Sequence, residues 1–265
     1  MARENNLGKY YCAHRGFFNN ESQWPENSIA AFKRAVDNGY GIELDVQLTK
    51  DGVPVVFHDC SLKRMCGVDK NVWDVKFKDI RKLKLANSNE IIPTFEEVLE
   101  AVDGNTPLIV EIKGEKNVIK ATKKACELLD EYYGPVDENG NVDAENNRLS
   151  GSFGYCVESF NPLAVWWYKK NRPEVIRGQL STVYSIDDRK KSLIHKMMTY
   201  LAFNVFTKPD FVAYNVKFAN RLWFKIYRKL SNVFTVAWTV KSEEQYEEIK
   251  NLFDVIIFDT YVPSR

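Results

Sequence analysis

Residues 42–47 read Ile-Glu-Leu-Asp-Val-Gln. Polar and apolar side chains alternate along this stretch, which is the pattern of a β-strand with two different faces. Before this segment, residues 28–38 have the periodicity of a helix, and residues 10–14 form an apolar run typical of a strand. A strand, a helix and a second strand in this order predict a parallel βαβ unit.

The same alternation continues to the end of the chain. With a short apolar piece at 54–58 set aside, eight strands are predicted, at 10–14, 42–47, 108–113, 153–159, 175–180, 211–214, 233–240 and 255–258. The helices are predicted at 28–38, 95–102, 118–133, 162–170, 186–206, 218–230 and 243–252. Eight repeats in 265 residues predict an α/β protein with a closed (β/α)8 TIM barrel, and a doubly wound open sheet is the alternative.

One segment does not fit this pattern. Residues 60–92, after the second strand region, fit no βα unit and are predicted to be a small insertion with one short helix around 77–83. The whole chain, residues 1–265, is then expected to form a single barrel domain, since one barrel routinely takes about 250 residues.

Composition excludes several classes of protein. Thirty-seven basic residues nearly balance thirty-six acidic ones, so no nucleic-acid partner is expected. The most apolar stretch, residues 193–206, is interrupted by His195, Lys196 and Asn204 and is shorter than the ~20 residues that a membrane span needs. The five cysteines form no C-x-x-C pair, and the polar N-terminus lacks an apolar export region. Reduced thiols and a cytoplasmic location are therefore expected.

Polar side chains recur where the predicted strands end. Histidines, carboxylates and cations occupy these positions: His14, Arg15, Glu43, Asp45, His58, Glu111 and Lys113. Each alone can be explained as a solvated charge, an ion pair or a structural histidine. In a parallel barrel, however, the carboxyl ends of the strands form the active-site face, and buried polar groups are costly unless they pair or hold an ion. Their recurrence favours one shared site. His195 lies among apolar residues of a predicted helix and is expected to be structural.

At these positions the sequence resembles the glycerophosphodiester phosphodiesterase family. The resemblance is an ordered set of motifs: His14-Arg15-Gly16, Pro25-Glu26-Asn27-Ser28, Glu43-Leu44-Asp45, Thr49-Lys50-Asp51-Gly52, His58-Asp59, Ile92-Pro93-Thr94-Phe95-Glu96-Glu97-Val98, Glu111-Ile112-Lys113, Ser159-Phe160-Asn161-Pro162 and Ala237-Trp238-Thr239-Val240. It covers nearly the whole chain, including the insertion. Two features depart from it. Phe258 stands before Asp259 where the family has threonine, and the stretch after Pro135 is longer than in a compact member.

The resemblance implies a metal-dependent hydrolysis of glycerophosphodiesters to glycerol 3-phosphate and an alcohol. It implies one divalent cation on Glu43, Asp45 and Glu111, and an all-oxygen ligand set favours Mg²⁺ or Ca²⁺ over zinc. It also implies His14 and His58 as the general acid and base, with the order of their roles left open. In the family, a glycerol hydroxyl next to the phosphate is thought to attack first, giving a cyclic phosphate that water opens.

Four further residues are predicted to bind the substrate. The resemblance places Arg15 and Lys113 near the phosphate. Glu26 is interpreted as a residue that orients Arg15 or a histidine, with a helix-capping role as the alternative. Trp238, near the end of a strand, is interpreted as an apolar wall for glycerol or as a core residue.

Other functions stay open at this point. One is a phospholipase-D-like cleavage of lysophospholipids or other phosphodiesters. Another is a non-catalytic barrel that binds a phosphorylated ligand, although such a protein should have lost a histidine or a metal ligand, and all are present. The apolar stretch 193–206 is predicted either to cover the active-site mouth as a lid or to form a homodimer contact.

Overall fold

The structure is a computed structural model that describes residues 10–134, 154–183, 193–231 and 233–264. Its strands are β1 (Cys12–Ala13), β2 (Gly41–Leu48), β3 (Pro54–Val56), β4 (Leu108–Ile112), β5 (Tyr155–Ser159), β6 (Arg177–Ser181), β7 (Phe211–Asn215), β8 (Phe234–Val240) and β9 (Val255–Phe258). Its α-helices are α1 (Ile29–Asp37), α2 (Lys63–Cys66), α3 (Phe77–Ile80), α4 (Phe95–Val102), α5 (Val118–Tyr133), α6 (Pro162–Asn171), α7 (Leu193–Thr199), α8 (Asn204–Thr207), α9 (Leu222–Ser231) and α10 (Glu243–Ile249).

Eight of the strands close into a parallel barrel. Their order around the barrel is β1-β9-β8-β7-β6-β5-β4-β2, and β1 pairs with β2 to complete the ring. The remaining strand, β3, pairs antiparallel with β2 and lies outside the ring. The predicted (β/α)8 TIM barrel is thus confirmed, and the open-sheet alternative is wrong.

Side chains, not solvent, fill the inside of the barrel below the carboxyl ends of its strands. Cys12, Ile109 and Cys156 belong to a buried apolar cluster inside it. Phe211 fills the space beside β6, where a Cβ on Gly178 would lie only 2.1 Å from the phenyl ring. Glycine is therefore required at that position, and the packed interior leaves the carboxyl ends of the strands as the place for a cavity.

Capping residues begin the helices close to their predicted positions. The Ser28 hydroxyl accepts a hydrogen bond from the amide of Ala31 at the start of α1. Thr94 and Glu97 form a reciprocal capping box at the start of α4. These caps explain why the starts of α1 and α4 could be predicted to within a residue.

The insertion is more elaborate than predicted. Residues 60–92 contain α2, α3 and a 3-10 turn at Val72–Asp74, where a single short helix was predicted. Together with β3 and its neighbours, the insertion builds a separate apolar cluster that includes Val55, Phe57, Leu62, Met65, Val72, Ile80, Leu85 and Ile92. It therefore has a small core of its own outside the barrel.

Two helix predictions are wrong in part. The helix predicted at 186–206 is broken into α7 and α8, and Leu201 between them has a positive φ of 55° that an α-helix does not contain. The helix predicted from residue 218 begins at Leu222, after a 3-10 turn at Val216–Phe218. Residues 184–192 and the long stretch 135–153 lie outside the described residues.

The five cysteines are free thiols, as predicted.

Candidate active site

A cavity of about 390 Å³ opens at the carboxyl ends of the barrel strands. Side chains from β2, β4, β5 and β8 and from the residues after β1 and β9 line it. The polar groups that line it include His14, Arg15, Glu26, Glu43, His58, Glu111, Glu158, Lys241 and Asp259. The barrel thus brings residues that are far apart in sequence to one place.

The turn after β1 positions His14 and Arg15. Arg15 has a φ of 55° and Gly16 a φ of 81°, so the chain reverses sharply as the strand ends. The backbone amide of Arg15 donates a hydrogen bond to the Glu43 carboxylate at 3.0 Å. A Cβ at residue 16 would lie 2.9 Å from the Phe32 ring, so this tight turn requires glycine. Local backbone geometry therefore holds the first histidine next to the carboxylates.

Three carboxylates converge at the floor of the cavity. One oxygen each from Glu43, Asp45 and Glu111 lies within 4.8 Å of the other two, and all three side chains are buried. Asp45 and Glu111 are register partners on adjacent strands, and Glu43 shares the Asp45 face of β2. Burial and then the neighbouring carboxylates hold the pKa of Glu43 well above its usual range, whereas burial raises the pKa of Glu111 to about 7 against the opposing charge of Lys113. Such crowding of like charges suits a divalent cation.

Cations and an amide already surround Asp45. The Lys113 ammonium lies 3.3 Å from Asp45 and 2.9 Å from Glu111. The Arg15 Nε lies 3.5 Å from Asp45, and the Asn27 amide donates to it at 2.8 Å. Burial alone would raise the pKa of Asp45, but these positive neighbours hold it well below its usual range. Lys113 is therefore buried against the carboxylates, and it lies behind the cavity wall rather than in it.

Both cavity histidines have a carboxylate partner. His14 Nδ1 lies 3.7 Å from Asp259, and its Nε2 lies 4.0 Å from Glu43. His58 Nδ1 is hydrogen-bonded to Asp59 at 2.7 Å. Burial lowers the pKa of both imidazoles below the usual value. A carboxylate thus lies beside each ring, and burial favours the neutral form of both imidazoles.

An ion-pair network centred on the buried Glu26 joins the loops that carry the two histidines. Arg15 binds Glu26 at 2.8 Å, and Arg64 binds the same carboxylate through two nitrogens at 2.6 and 2.8 Å. Arg64 also binds Asp59, the partner of His58, at 2.6 Å. Burial would raise the pKa of Glu26, but the two arginines outweigh it and lower this pKa to about 2. Glu26 thus pairs with Arg15, and the Ser28 hydroxyl caps α1.

The far wall of the cavity is apolar. Trp238 lines it and packs edge-to-face against Phe160, with ring centroids 5.5 Å apart. Leu180 lies on the same wall. Trp238 thus lies at the cavity surface while also packing on the core, and its contact with a substrate stays a prediction. His195 is exposed on α7, and none of the described residues from 193 to 207 lines the cavity.

Sequence reasoning missed several polar residues of the site. Arg64 is on the short helix of the insertion, where no motif marked it. Asp259 was noted as a neighbour of Phe258 but was not assigned to the site. Glu158 is buried on β5, in register with Glu111, and lines the cavity. A charged residue in the middle of an apolar strand was a usable sign for Glu158, as it was for Glu111.

Fold and site together define a class, namely (β/α)8 barrels with a carboxylate cluster and two histidines at the carboxyl ends of the strands. Residues 14–260 match the sequence model of the "Glycerophosphoryl diester phosphodiesterase family". The chain belongs to this family.

Curated relatives carry names within the same family. A glycerophosphodiester phosphodiesterase of Caldanaerobacter subterraneus subsp. tengcongensis is 42% identical over 128 residues, which is 42% of this chain and 51% of that protein. Lysophospholipase D GDPD1 of Homo sapiens is 38% identical over 120 residues, which is 40% of this chain and 37% of the relative. The aligned part thus spans about half the length of the curated relatives, or less.

Solved structures share the fold. An Oleispira antarctica phosphodiesterase in complex with the product sn-glycerol-3-phosphate superposes with a TM-score of 0.73 at 21% identity, over 94% of this chain and 92% of that one. A Thermotoga maritima glycerophosphodiester phosphodiesterase superposes with a TM-score of 0.64 at 22% identity, over 94% and 93% of the two chains. Within the described residues, no helix is long and apolar enough to cross a membrane.

Proposed function

We propose that this site hydrolyses glycerophosphodiesters to glycerol 3-phosphate and an alcohol. The observation that carries the proposal is the cluster of Glu43, Asp45 and Glu111 at a cavity that Glu43 and Glu111 line together with His14 and His58. Family membership supports the reaction type. A barrel that only bound a phosphorylated ligand would have no need of two histidines, each with its own carboxylate partner.

The donor set fits a hard divalent cation, Mg²⁺ or Ca²⁺. Glu43, Asp45 and Glu111 offer oxygen ligands. Burial, and then repulsion from neighbouring carboxylates, raises the pKa values of Glu43 and Glu111, and a cation would offset that repulsion. When bound, such an ion supplies neutralising charge to a non-bridging phosphate oxygen. Lys113 lies against two of these ligands, Asp45 and Glu111, and its charge acts to lower the pKa of both.

In the proposed reaction, Arg15 binds the phosphate and the two histidines transfer protons. The Arg15 guanidinium, fixed by Glu26, provides fork-shaped donors for the phosphate. One histidine takes the proton from the glycerol hydroxyl as its oxygen bonds to phosphorus, and the other donates a proton to the alcohol oxygen as the phosphorus–oxygen bond breaks. Water then opens the cyclic phosphate, with the two histidines in reversed roles.

A second candidate is cleavage of lysophospholipids by a phospholipase-D-like reaction. The similarity to lysophospholipase D GDPD1 and the apolar wall of Trp238 and Phe160 favour it. A side-by-side assay of glycerophosphocholine and lysophosphatidylcholine, with the phosphorylated product identified by mass spectrometry, separates the two. Glycerol 3-phosphate from glycerophosphocholine as the main activity supports the proposal, and a clear preference for the lysolipid supports the second candidate. No turnover of either compound, with metal present, would refute both.

A cytoplasmic location and a homodimer stay predictions from sequence.

A further inference from the structure

Helix α9 presents an exposed line of apolar side chains. Leu222, Ile226 and Leu230 are 74%, 48% and 80% exposed, and their four-residue spacing places them along one side of the helix. The opposite side already packs on the barrel, where the Phe224 ring stacks on Tyr214 at 3.9 Å. A helix that only covers a barrel needs one apolar stripe, so packing accounts for Phe224 but not for the exposed line.

The apolar surface continues onto the neighbouring helices α7 and α8. The Tyr200 ring packs edge-to-face against Trp223, with centroids 5.4 Å apart, and the Asn204 amide donates to the Tyr227 hydroxyl at 2.8 Å. These contacts hold the three helices side by side. The exposed apolar residues on α8 and before it are Tyr200, Val205 and Phe206, at 58%, 72% and 64%. Together with the line on α9, they form what we call the docking face.

Along the chain segment that carries this face, the charged residues are almost all positive. Residues 193–242 contain eight lysines and arginines and a single acidic residue, Asp210, although the whole chain is nearly neutral. Asp210 is engaged by Arg177 at 3.3 Å, at the start of β6. On α9, Lys225 and Lys229 are exposed and follow the apolar line at a spacing of three residues. An apolar line flanked by lysines is the pattern of a helix that lies on an anionic membrane surface.

We propose that the docking face binds an anionic lipid surface. The apolar side chains would enter the boundary between headgroups and acyl chains, and Lys225 and Lys229 would meet the anionic headgroups. A second copy of the chain is a poorer occupant. A two-fold dimer through this face would bring the lysines of α9 together, and α9 itself carries no acidic residue to pair with them.

The docking face begins close to the cavity. Lys217 lines the cavity, and Leu222 opens α9 five residues later in the chain. A bound bilayer would therefore lie beside the cavity mouth. The inference concerns attachment to lipid and goes beyond the proposed reaction, so binding can be measured without turnover.

Vesicle co-sedimentation of the full chain tests the proposal. The vesicles are phosphatidylcholine alone, or phosphatidylcholine mixed with phosphatidylglycerol. One variant removes the apolar line (Leu222→Ser, Ile226→Ser, Leu230→Ser), and another reverses the charge (Lys225→Glu, Lys229→Glu). The matched control, Lys120→Glu with Lys123→Glu, makes the same charge change at exposed positions of α5.

We expect the wild-type protein to bind the mixed vesicles and not the neutral ones. The charge-reversed variant should bind at least about 25-fold more weakly, from about fivefold per lysine removed, while the control should lose far less. The apolar variant should also lose binding. Both variants should keep turnover of soluble glycerophosphocholine, which shows that they are folded and that the proposed reaction is unaffected.

Three results would overturn the proposal. The first is equal binding to neutral and anionic vesicles, or none to either. The second is a control that loses as much binding as the docking-face variants. The third is an apolar variant that turns a dimer into a monomer in sedimentation while vesicle binding is unchanged, because the face would then be a subunit interface.

Discussion

Glu26→Gln tests the network that joins the two histidine loops. In the folded protein the pKa of Glu26 is about 2, against an ordinary value of 4.5. Each unit of such a shift corresponds to about 1.4 kcal/mol, so the ionised carboxylate stabilises the buried network by about 3 kcal/mol at neutral pH. Glutamine keeps the shape but loses the charge that Arg15 and Arg64 require. We therefore expect the free energy of unfolding to fall by about 3 kcal/mol at pH 7.

The pH dependence gives this prediction a sign. Because folding lowers the pKa of Glu26, its stabilisation is fully present above about pH 4.5 and is lost as the pH falls toward 2. The difference between wild type and variant should therefore shrink to about 1 kcal/mol near pH 3. Urea unfolding followed by circular dichroism, in a series from pH 7 to pH 3, measures it.

A matched control separates this effect from the loss of any ion pair. Glu127 on α5 pairs with Lys124 at 2.6 Å, but its side chain is mostly exposed. Glu127→Gln should cost no more than about 0.5 kcal/mol, as is usual for an exposed pair. If both variants lose the same free energy of unfolding, or if the loss in Glu26→Gln does not change with pH, the charge of Glu26 does not stabilise the network.

Two further predictions concern the histidines. His58→Ala should lower kcat by about 10²–10⁴-fold in steady-state assays, whereas His195→Ala, at an exposed position of α7, should leave kcat unchanged; similar losses for both would contradict the site assignment. Asp259→Asn should lower the pKa of His14, because a carboxylate 3.7 Å from Nδ1 stabilises the imidazolium. One limb of the pH profile of kcat/KM should then move to lower pH, and a profile with both limbs unmoved would exclude Asp259 as a positioning residue.

The sequence predicted the barrel because each strand and helix carries its own periodicity. It also predicted the convergence of Glu43, Asp45 and Glu111. In a parallel barrel the carboxyl ends of all strands lie at the same end of the barrel, so polar side chains near those ends come together. Alternation within a single strand was enough to place each of these residues.

The parts that were missed depend on contacts across the chain. Arg64 reaches Glu26 and Asp59 from an insertion with its own small core, and no local pattern specifies that docking. The break at Leu201 replaced one predicted helix by two, since a continuous apolar run does not show where tertiary packing selects a left-handed residue. The burial of Lys113 against the carboxylates likewise follows from the pairing of β2 with β4.

The metal dependence of turnover tests the proposed hydrolysis most directly. The protein is stripped with a chelator and then titrated with Mg²⁺ or Ca²⁺, while release of glycerol 3-phosphate from glycerophosphocholine is followed. We expect no turnover in the chelator, recovery as the metal is added, and little recovery in Glu43→Gln at the same metal concentrations, because one of the three convergent ligands is neutralised. Full turnover by the metal-free wild-type protein would contradict the proposed role of a divalent cation.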